Sequence, residues 1–272
     1  MRRNAYDRMS AEVKCMGKRK IVRDALCVAG VQVLAIVGML IVALLLFPVC
    51  ILAGIDHPDS MAAAAGGAIT SSAILIWRIK RRFPDSDGLF SLSGVLRRWG
   101  SVVLVFGGYL LRCLLYSLAG GSYSIALPTQ TLAGHLLFPA AYSLMDALAL
   151  DAFGAVYLLK KGHSERGAAA VFSLMALAYA ALYVLLRLTG GFSLSGIMMM
   201  LIAGLECAVM TLLFIRTGSL WGRMLFTGIS MLIWPDAQAY SPLLFAVDLL
   251  FALCLCVIIH QLDGAAQEKK TA

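Results

Sequence analysis

The chain has 272 residues, of which 61% are hydrophobic and only 14% are charged, and its mean hydropathy is +0.86. A soluble domain carries about a quarter charged residues, so this composition excludes a soluble globule and predicts a protein embedded in a lipid bilayer. The net charge is +8, but the cationic residues are clustered before residue 24 and between Arg78 and Arg98. Such clusters are typical of the cytosolic loops of membrane proteins, and we expect no nucleic-acid partner.

Apolar segments of transmembrane length recur along the chain and predict an all-α, polytopic helical bundle of about eight helices. A basic tail, residues 1–24, precedes the first helix, which Pro48 is expected to end. The second segment is rich in Ala and Gly, which favours close packing among neighbouring helices. The predicted spans are Ala25–Phe47, Met61–Trp77, Gly100–Leu118, Pro139–Leu159, Gly167–Leu186, the two halves of Gly196–Trp234, and Pro242–Ile259.

Lys and Arg residues alternate between the loops and predict the orientation of the chain. They occur in the tail, in the second, fourth and sixth connections and at the C-terminus, whereas the first, third and seventh connections have none. Both termini are therefore predicted to be cytosolic in a multi-pass protein of the plasma membrane. Four parts follow: the tail 1–24, helices 1–3 in 25–138, a helical core in 139–234, and the last helix with its cytosolic tail in 235–272.

Charged side chains inside the predicted spans are expensive in lipid and usually pair or face a cavity. Counting from the loops at about 1.5 Å per residue places them in two layers, each with one arginine and two acids. Asp146 and Asp151 are predicted to lie about 140° apart around their helix and therefore in different layers. The outer layer is predicted to hold Arg112, Asp146 and Asp248, and the inner layer Asp151, Glu206 and Arg223.

Two interpretations of these layers stay open. Each layer is either an ion-pair clasp between helices or a polar cavity, in which Asp151 and Glu206 are the candidate catalytic residues, as metal ligands or proton carriers. For the outer layer, the clasp predicts that Arg112 pairs with Asp146 or Asp248.

The most specific motif is the turn Arg216-Thr217-Gly218-Ser219-Leu220-Trp221 between two apolar spans. It resembles the RTGSLW signature of the CPBP family, also called Abi or CAAX amino-terminal protease-like proteins. The resemblance extends over residues 139–234, and it covers the helix before the turn and an upstream basic loop followed by an Ala-rich helix. The family consists of multi-helix intramembrane metalloproteases, so the resemblance implies a membrane endopeptidase that uses zinc.

The chain departs from the family at the residues that carry this chemistry. Leu148-Ala149 takes the place of the family's Glu-Glu pair, whereas Gly154 keeps the glycine of its Arg-Gly motif. No histidine occurs between Gly167 and Arg187, and the third motif's His and Asn positions fall on Thr227 and Met231. Thr and Met cannot supply an imidazole to a metal.

We therefore expect a divergent member with a degenerate active site, which binds a membrane peptide or a partner protein within the lipid bilayer or serves as a scaffold. One alternative is an active intramembrane protease with altered ligands that include Asp151 and Glu206. Another is a transport or channel component in which the inner acids move protons or ions.

Overall fold

The computed structural model describes residues 2–52, 60–84, 99–120, 123–125, 132–186, 194–235 and 240–271. Within these ranges the chain forms eight helical runs and one pair of very short strands, which confirms the all-α bundle. The elements are α1 (Arg2–Leu52), α2 (Ser60–Arg82), α3 (Trp99–Leu118), β1 (Tyr123–Ile125), α4 (Leu132–Ala147 continuing through Leu148–Ala155 and Val156–Lys160), α5 (Glu165–Leu186), α6 (Leu194–Thr217), α7 (Trp221–Leu232), β2 (Ile233–Pro235) and α8 (Pro242–Thr271).

Four of the described helical segments are long and apolar enough to cross a membrane, which indicates a membrane protein. A shorter apolar segment, Val103–Leu118, lies in α3. The four segments are Ile21–Leu52, Leu136–Lys160, Leu194–Thr217 and Pro242–Ile259.

Helix boundaries differ from the predicted ones in three places. Residues 2–24, predicted as a tail, are the first part of α1, and this helix passes through Pro48 and ends at Leu52. Pro139 likewise lies inside α4, which begins at Leu132. A proline removes one backbone hydrogen bond, and a long apolar helix that is packed on neighbours tolerates this loss.

Helix α7 is shorter than predicted, with 12 residues. It is about 18 Å long, against a hydrocarbon core of about 30 Å. The chain beyond it is extended, and β2 pairs antiparallel with β1, with Ser124 opposite Trp234. The strand pair supplies hydrogen-bond partners to backbone groups beyond the end of α7.

Two glycines allow neighbouring helices to pack closely. A Cβ built on Gly67 of α2 would lie 2.2 Å from the Met39 carbonyl oxygen of α1. A Cβ on Gly154 would lie 2.7 Å from the Val28 side chain and 2.8 Å from Phe172. Small residues at such crossings are how membrane helices gain packing energy in lipid. Among the described residues, the largest of three buried apolar clusters lies where α1, α2, α4 and α5 meet.

One end of the bundle gathers the connections that were predicted to be cytosolic. His163, in the turn after α4, lies 2.9 Å from Asp24 of α1, and Arg216 at the end of α6 pairs with Glu165 of α5. The Lys160 ammonium lies 5.0 Å from the ring centre of Phe83, which follows α2. At the other end, β1 and β2 bring the third and seventh connections together. This arrangement agrees with the alternation of Lys and Arg residues among the loops. We call the end that holds Lys160, His163 and Arg216 the basic end.

Candidate functional site

Arg112 of α3 is 6% exposed and joins three helices. Its Nε donates a hydrogen bond to Asp248 Oδ1 of α8 at 2.7 Å. Its Nη1 lies 3.0 Å from Glu206 Oε1 of α6. The Tyr240 hydroxyl donates to the second oxygen of Asp248 at 2.5 Å. We call these four residues the Arg112 cluster.

The surroundings of the Arg112 cluster are aromatic. The guanidinium carbon of Arg112 lies 5.4 Å from the ring centre of Tyr109 and 5.6 Å from that of Phe251, which is within the range of cation–π attraction. Burial raises the pKa of Tyr240, and its hydrogen bond to Asp248 acts in the same direction. The Tyr240 hydroxyl therefore keeps the proton that it donates.

Arg223 of α7 is 4% exposed and is the centre of a second group of polar residues. Its Nε lies 2.8 Å from Asp151 Oδ2 of α4. Its Nη2 donates to Thr211 Oγ1 at 2.7 Å and to the Cys207 carbonyl oxygen at 3.2 Å, both on α6. Its Nη1 lies 3.6 Å from Cys207 Sγ. Buried charges with this many partners are held in one geometry.

A second acid, Asp146, belongs to the same group. Its Oδ1 accepts from Gln32 Nε2 of α1 at 3.3 Å, and its Oδ2 accepts from the Thr227 hydroxyl of α7 at 3.3 Å. Thr227 lies four residues after Arg223 on α7, so this hydrogen bond brings Asp146 to the helix that carries Arg223. We call the group the Arg223 cluster; it contains Arg223, Asp151, Asp146, Cys207, Thr211, Gln32 and Thr227.

The prediction that Asp146 and Asp151 face different layers is therefore wrong. Residues 148–155 of α4 form a π-helix, in which hydrogen bonds run from residue i to i+5. The turn is wider there, so residues five apart lie nearer to one face than the 140° of an α-helix implies. The π-helix lets both acids face α7, where Asp151 contacts Arg223 and Asp146 contacts Thr227.

The assignment of Glu206 to the inner layer is also wrong. Each cluster has one arginine and two acids, as predicted, but Glu206 lies with Arg112 and Asp248, while Asp146 lies with Arg223 and Asp151. Glu206 and Cys207 are successive residues of α6 and point to different faces. Helix α6 therefore stands between the two clusters and contributes to both. The predicted pairing of Arg112 with Asp248 is confirmed.

The candidate residues Asp151 and Glu206 thus belong to different clusters, and each lies against an arginine. In the ranges that the structure describes, no group of three or more His, Cys, Asp and Glu side chains is arranged to hold a metal ion. His163 faces Asp24 at the basic end, and His57 lies outside the described residues. The described residues do not fit the zinc site that the resemblance implies.

The signature turn has a local structural role at each polar position. Gly218 has a φ of +61°, a conformation that favours glycine, and its N–H donates to the Phe214 carbonyl at 2.6 Å. The Thr217 hydroxyl donates to the Leu213 carbonyl and accepts from the Ser219 N–H at 3.2 Å. Ser219 Oγ accepts from the Trp221 N–H at 3.4 Å. The turn thus ends α6 and begins α7.

Two sets of positions aligned with the family's motifs lie on α4 and α7. Leu148 and Ala149 are buried in the apolar core. Thr227, at the position of the family's histidine, donates to Asp146, two residues before Leu148. This hydrogen bond joins α4 to α7.

Sequence reasoning missed several members of the clusters. Cys207 and Thr211 are four residues apart and present their polar atoms on one face of α6, which is a helical spacing, but a cysteine in an apolar span is normally a core residue. Tyr240 lies before α8, and nothing in its local sequence predicts that it reaches Asp248.

Comparison of the chain with models of protein families, with curated proteins and with solved structures finds no match.

Proposed function

We propose that the protein is a divergent CPBP-like protein of the plasma membrane, in which helices α4–α7 bind a membrane peptide or protein and do not hydrolyse it. The observation that carries this proposal is the pairing of each candidate acid with a buried arginine, Asp151 with Arg223 and Glu206 with Arg112. A carboxylate in such a pair is held by a fixed positive charge. A metal ion would have to displace that charge within the bundle, at a high cost in free energy.

A groove between α4 and α7 supports the binding role. It encloses about 260 Å³ and is lined almost entirely by apolar side chains. Trp221 of the signature turn forms part of its wall, and Ala140, Ser143 and Gly228 give it a small-residue surface. Helices in lipid associate where small residues allow close contact. The groove is therefore the surface that we assign to a transmembrane helix of the partner.

Metal analysis of the purified protein tests the loss of proteolysis. We expect zinc well below one equivalent per chain in the wild type, in Asp151→Asn and in Glu206→Gln, and no cleavage of membrane peptides. One equivalent of zinc that is lost in both variants, together with cleavage activity, would establish the active protease with altered ligands. The melting temperature of each variant must be measured in parallel, so that unfolding is not mistaken for loss of a ligand.

Site-specific photo-crosslinking tests the groove. A photoreactive amino acid at Leu225, in the groove, is expected to give a discrete protein adduct in native membranes. The same group at Leu253 of α8, which is 51% exposed and outside the groove, serves as the matched control. Equal labelling at both positions would contradict a binding role for the groove.

A second candidate function, a transport or channel component, is favoured by one observation. Each cluster holds two acids for one arginine, and among the described residues Asp151 Oδ1 has no hydrogen-bond partner. Surplus carboxylates inside a membrane are typical of proton and ion pathways. Proton flux into liposomes that Asp146→Asn and Asp151→Asn both abolish would favour this function over the scaffold.

A further inference from the structure

A groove between α1 and α2 opens towards the lipid-facing side of the bundle and encloses about 310 Å³. Val31 and Leu34 of α1 and Ile74 and Leu75 of α2 form its walls, and Phe153 of the π-helix contributes to its lining. Leu34 is 71% exposed and Ile74 is 57% exposed, so the walls are open to the hydrocarbon of the membrane. The groove therefore has the surface chemistry of a site for an acyl chain.

Two arginines occupy the end of this groove that faces the basic end. Arg78 and Arg82 line it, are exposed, and are four residues apart on one face of α2. Two acids among the described residues of the basic end are engaged elsewhere, since Asp24 is buried and lies 2.9 Å from His163, and Glu165 pairs with Arg216. The mouth of the groove is therefore positively charged and complements an anion.

The dimensions match one leaflet. The groove extends on α2 from Ser71 to Arg82, which is about 16 Å of helix. Half of a hydrocarbon core is about 15 Å. An acyl chain that begins at the arginines would therefore end near the midplane. There the Ser71 hydroxyl donates to the Ala35 carbonyl at 3.1 Å and joins the two helices.

We infer that this groove binds an anionic phospholipid of the cytosolic leaflet. The phosphate contacts Arg78 and Arg82, and one acyl chain lies between α1 and α2. Basic pockets between membrane helices on the cytosolic side recognise lipid headgroups in this way. The inference depends on the embedding of α1 and α2 in the membrane and is independent of the proposed partner binding by α4 and α7.

Native mass spectrometry of the full-length protein, released from vesicles of equal phosphatidylglycerol and phosphatidylcholine, tests the inference. We expect the wild type to retain phosphatidylglycerol in preference to phosphatidylcholine. The double variant Arg78→Gln/Arg82→Gln should lose this preference by about 25-fold, since each arginine near the surface contributes about fivefold. The matched control is Arg81→Gln, because Arg81 lies over the Trp77 ring at 5.4 Å and does not line the groove.

An unchanged lipid preference in the double variant, or an equal loss in Arg81→Gln, would overturn the inference. A second pair of variants decides the matter if the double variant does not fold. Leu34→Trp fills the groove and should reduce the amount of phosphatidylglycerol retained. Leu44 lies on the same helix and is 73% exposed, and Leu44→Trp should leave the retained amount unchanged. Equal retention in these two variants would also overturn it.

Discussion

At the residue scale, the charges inside the bundle are organised by arginine. Arg112 joins α3 to α6 and α8, and Arg223 joins α7 to α4 and α6. Each lies against at least one carboxylate that would otherwise be buried alone. Removing one member of a buried pair costs more than removing both, because the remaining charge is uncompensated. This asymmetry makes the two clusters testable by substitution.

Arg223→Met is expected to lower the free energy of unfolding by about 3–5 kcal/mol, because the buried Asp151 would lose its cation. The double variant Arg223→Met/Asp151→Leu should recover a substantial part of this loss. Thermal unfolding in detergent measures both. The control is Arg216→Met, whose exposed pair with Glu165 is worth about 0–1 kcal/mol. A melting temperature that falls equally in the two single variants would contradict the assignment of Arg223 as a buried clasp.

Arg112→Ala should destabilise more than Asp248→Asn. The alanine leaves Glu206 and Asp248 facing each other without a cation, and a melting temperature lower by about 6–20 °C is expected. The asparagine oxygen can still accept from Arg112, its NH2 group can donate to the Tyr240 hydroxyl oxygen, and Glu206 still balances the charge. The melting temperatures of the two variants are measured in the same detergent. Equal shifts, or a larger shift in Asp248→Asn, would show that the cluster is not centred on Arg112.

At the element scale, close contact between helices depends on a few glycines. The crossing of α1 and α2 at Gly67 leaves no room for a Cβ, and the groove with Arg78 and Arg82 lies next to this crossing. The small residues of α2 therefore affect both how closely α2 packs on α1 and how deep the groove between them is.

Gly67→Ala is expected to destabilise the protein by about 1–3 kcal/mol, because its Cβ would overlap the Met39 backbone. Gly107→Ala in α3 is the matched control, since nothing lies within 4 Å of a Cβ there. Alanine in a helix should stabilise by up to about 1 kcal/mol at that position. Thermal unfolding of both variants measures the difference in stability. Destabilisation by Gly107→Ala but not by Gly67→Ala would contradict the close contact at Gly67.

At the scale of the whole molecule, the two ends differ in charge. The basic end holds Lys160, Arg82 and Arg216, while the opposite end is formed by the strand pair β1–β2. Positive charge favours the cytosolic side, so the structure and the loop charges are consistent with one orientation. Both candidate grooves then have defined positions relative to the two leaflets.

Reporter fusions test this orientation. Alkaline phosphatase fused after Gly162 is expected to be inactive, because that turn lies at the basic end, whereas a fusion after Gly120 should be active. A fluorescent protein at the C-terminus should fluoresce in the cytosol. An active fusion after Gly162 would show the opposite orientation and would also place the groove with Arg78 and Arg82 in the other leaflet.

Much of the architecture could be predicted from hydropathy and turn chemistry. The apolar segments predicted the eight helices, and the turn with Gly218 was predicted between α6 and α7. The early end of α7 and the pairing of β1 with β2 were not predicted, since strand partners more than a hundred residues apart leave no local signal. The resemblance to the CPBP family stays a prediction.

The sequence by itself determined that the chain is a helical membrane protein, because long apolar segments are stable in a bilayer. It also predicted two groups of one arginine and two acids, because a charged side chain inside the membrane is costly unless it is paired. Only the tertiary structure decided which acid meets which arginine. The rotation of a helix depends on its neighbours and on its exact winding, and the π-helix in α4 changed that winding between Asp146 and Asp151. For the same reason Glu206 faces Arg112 while Cys207, one residue later, faces Arg223.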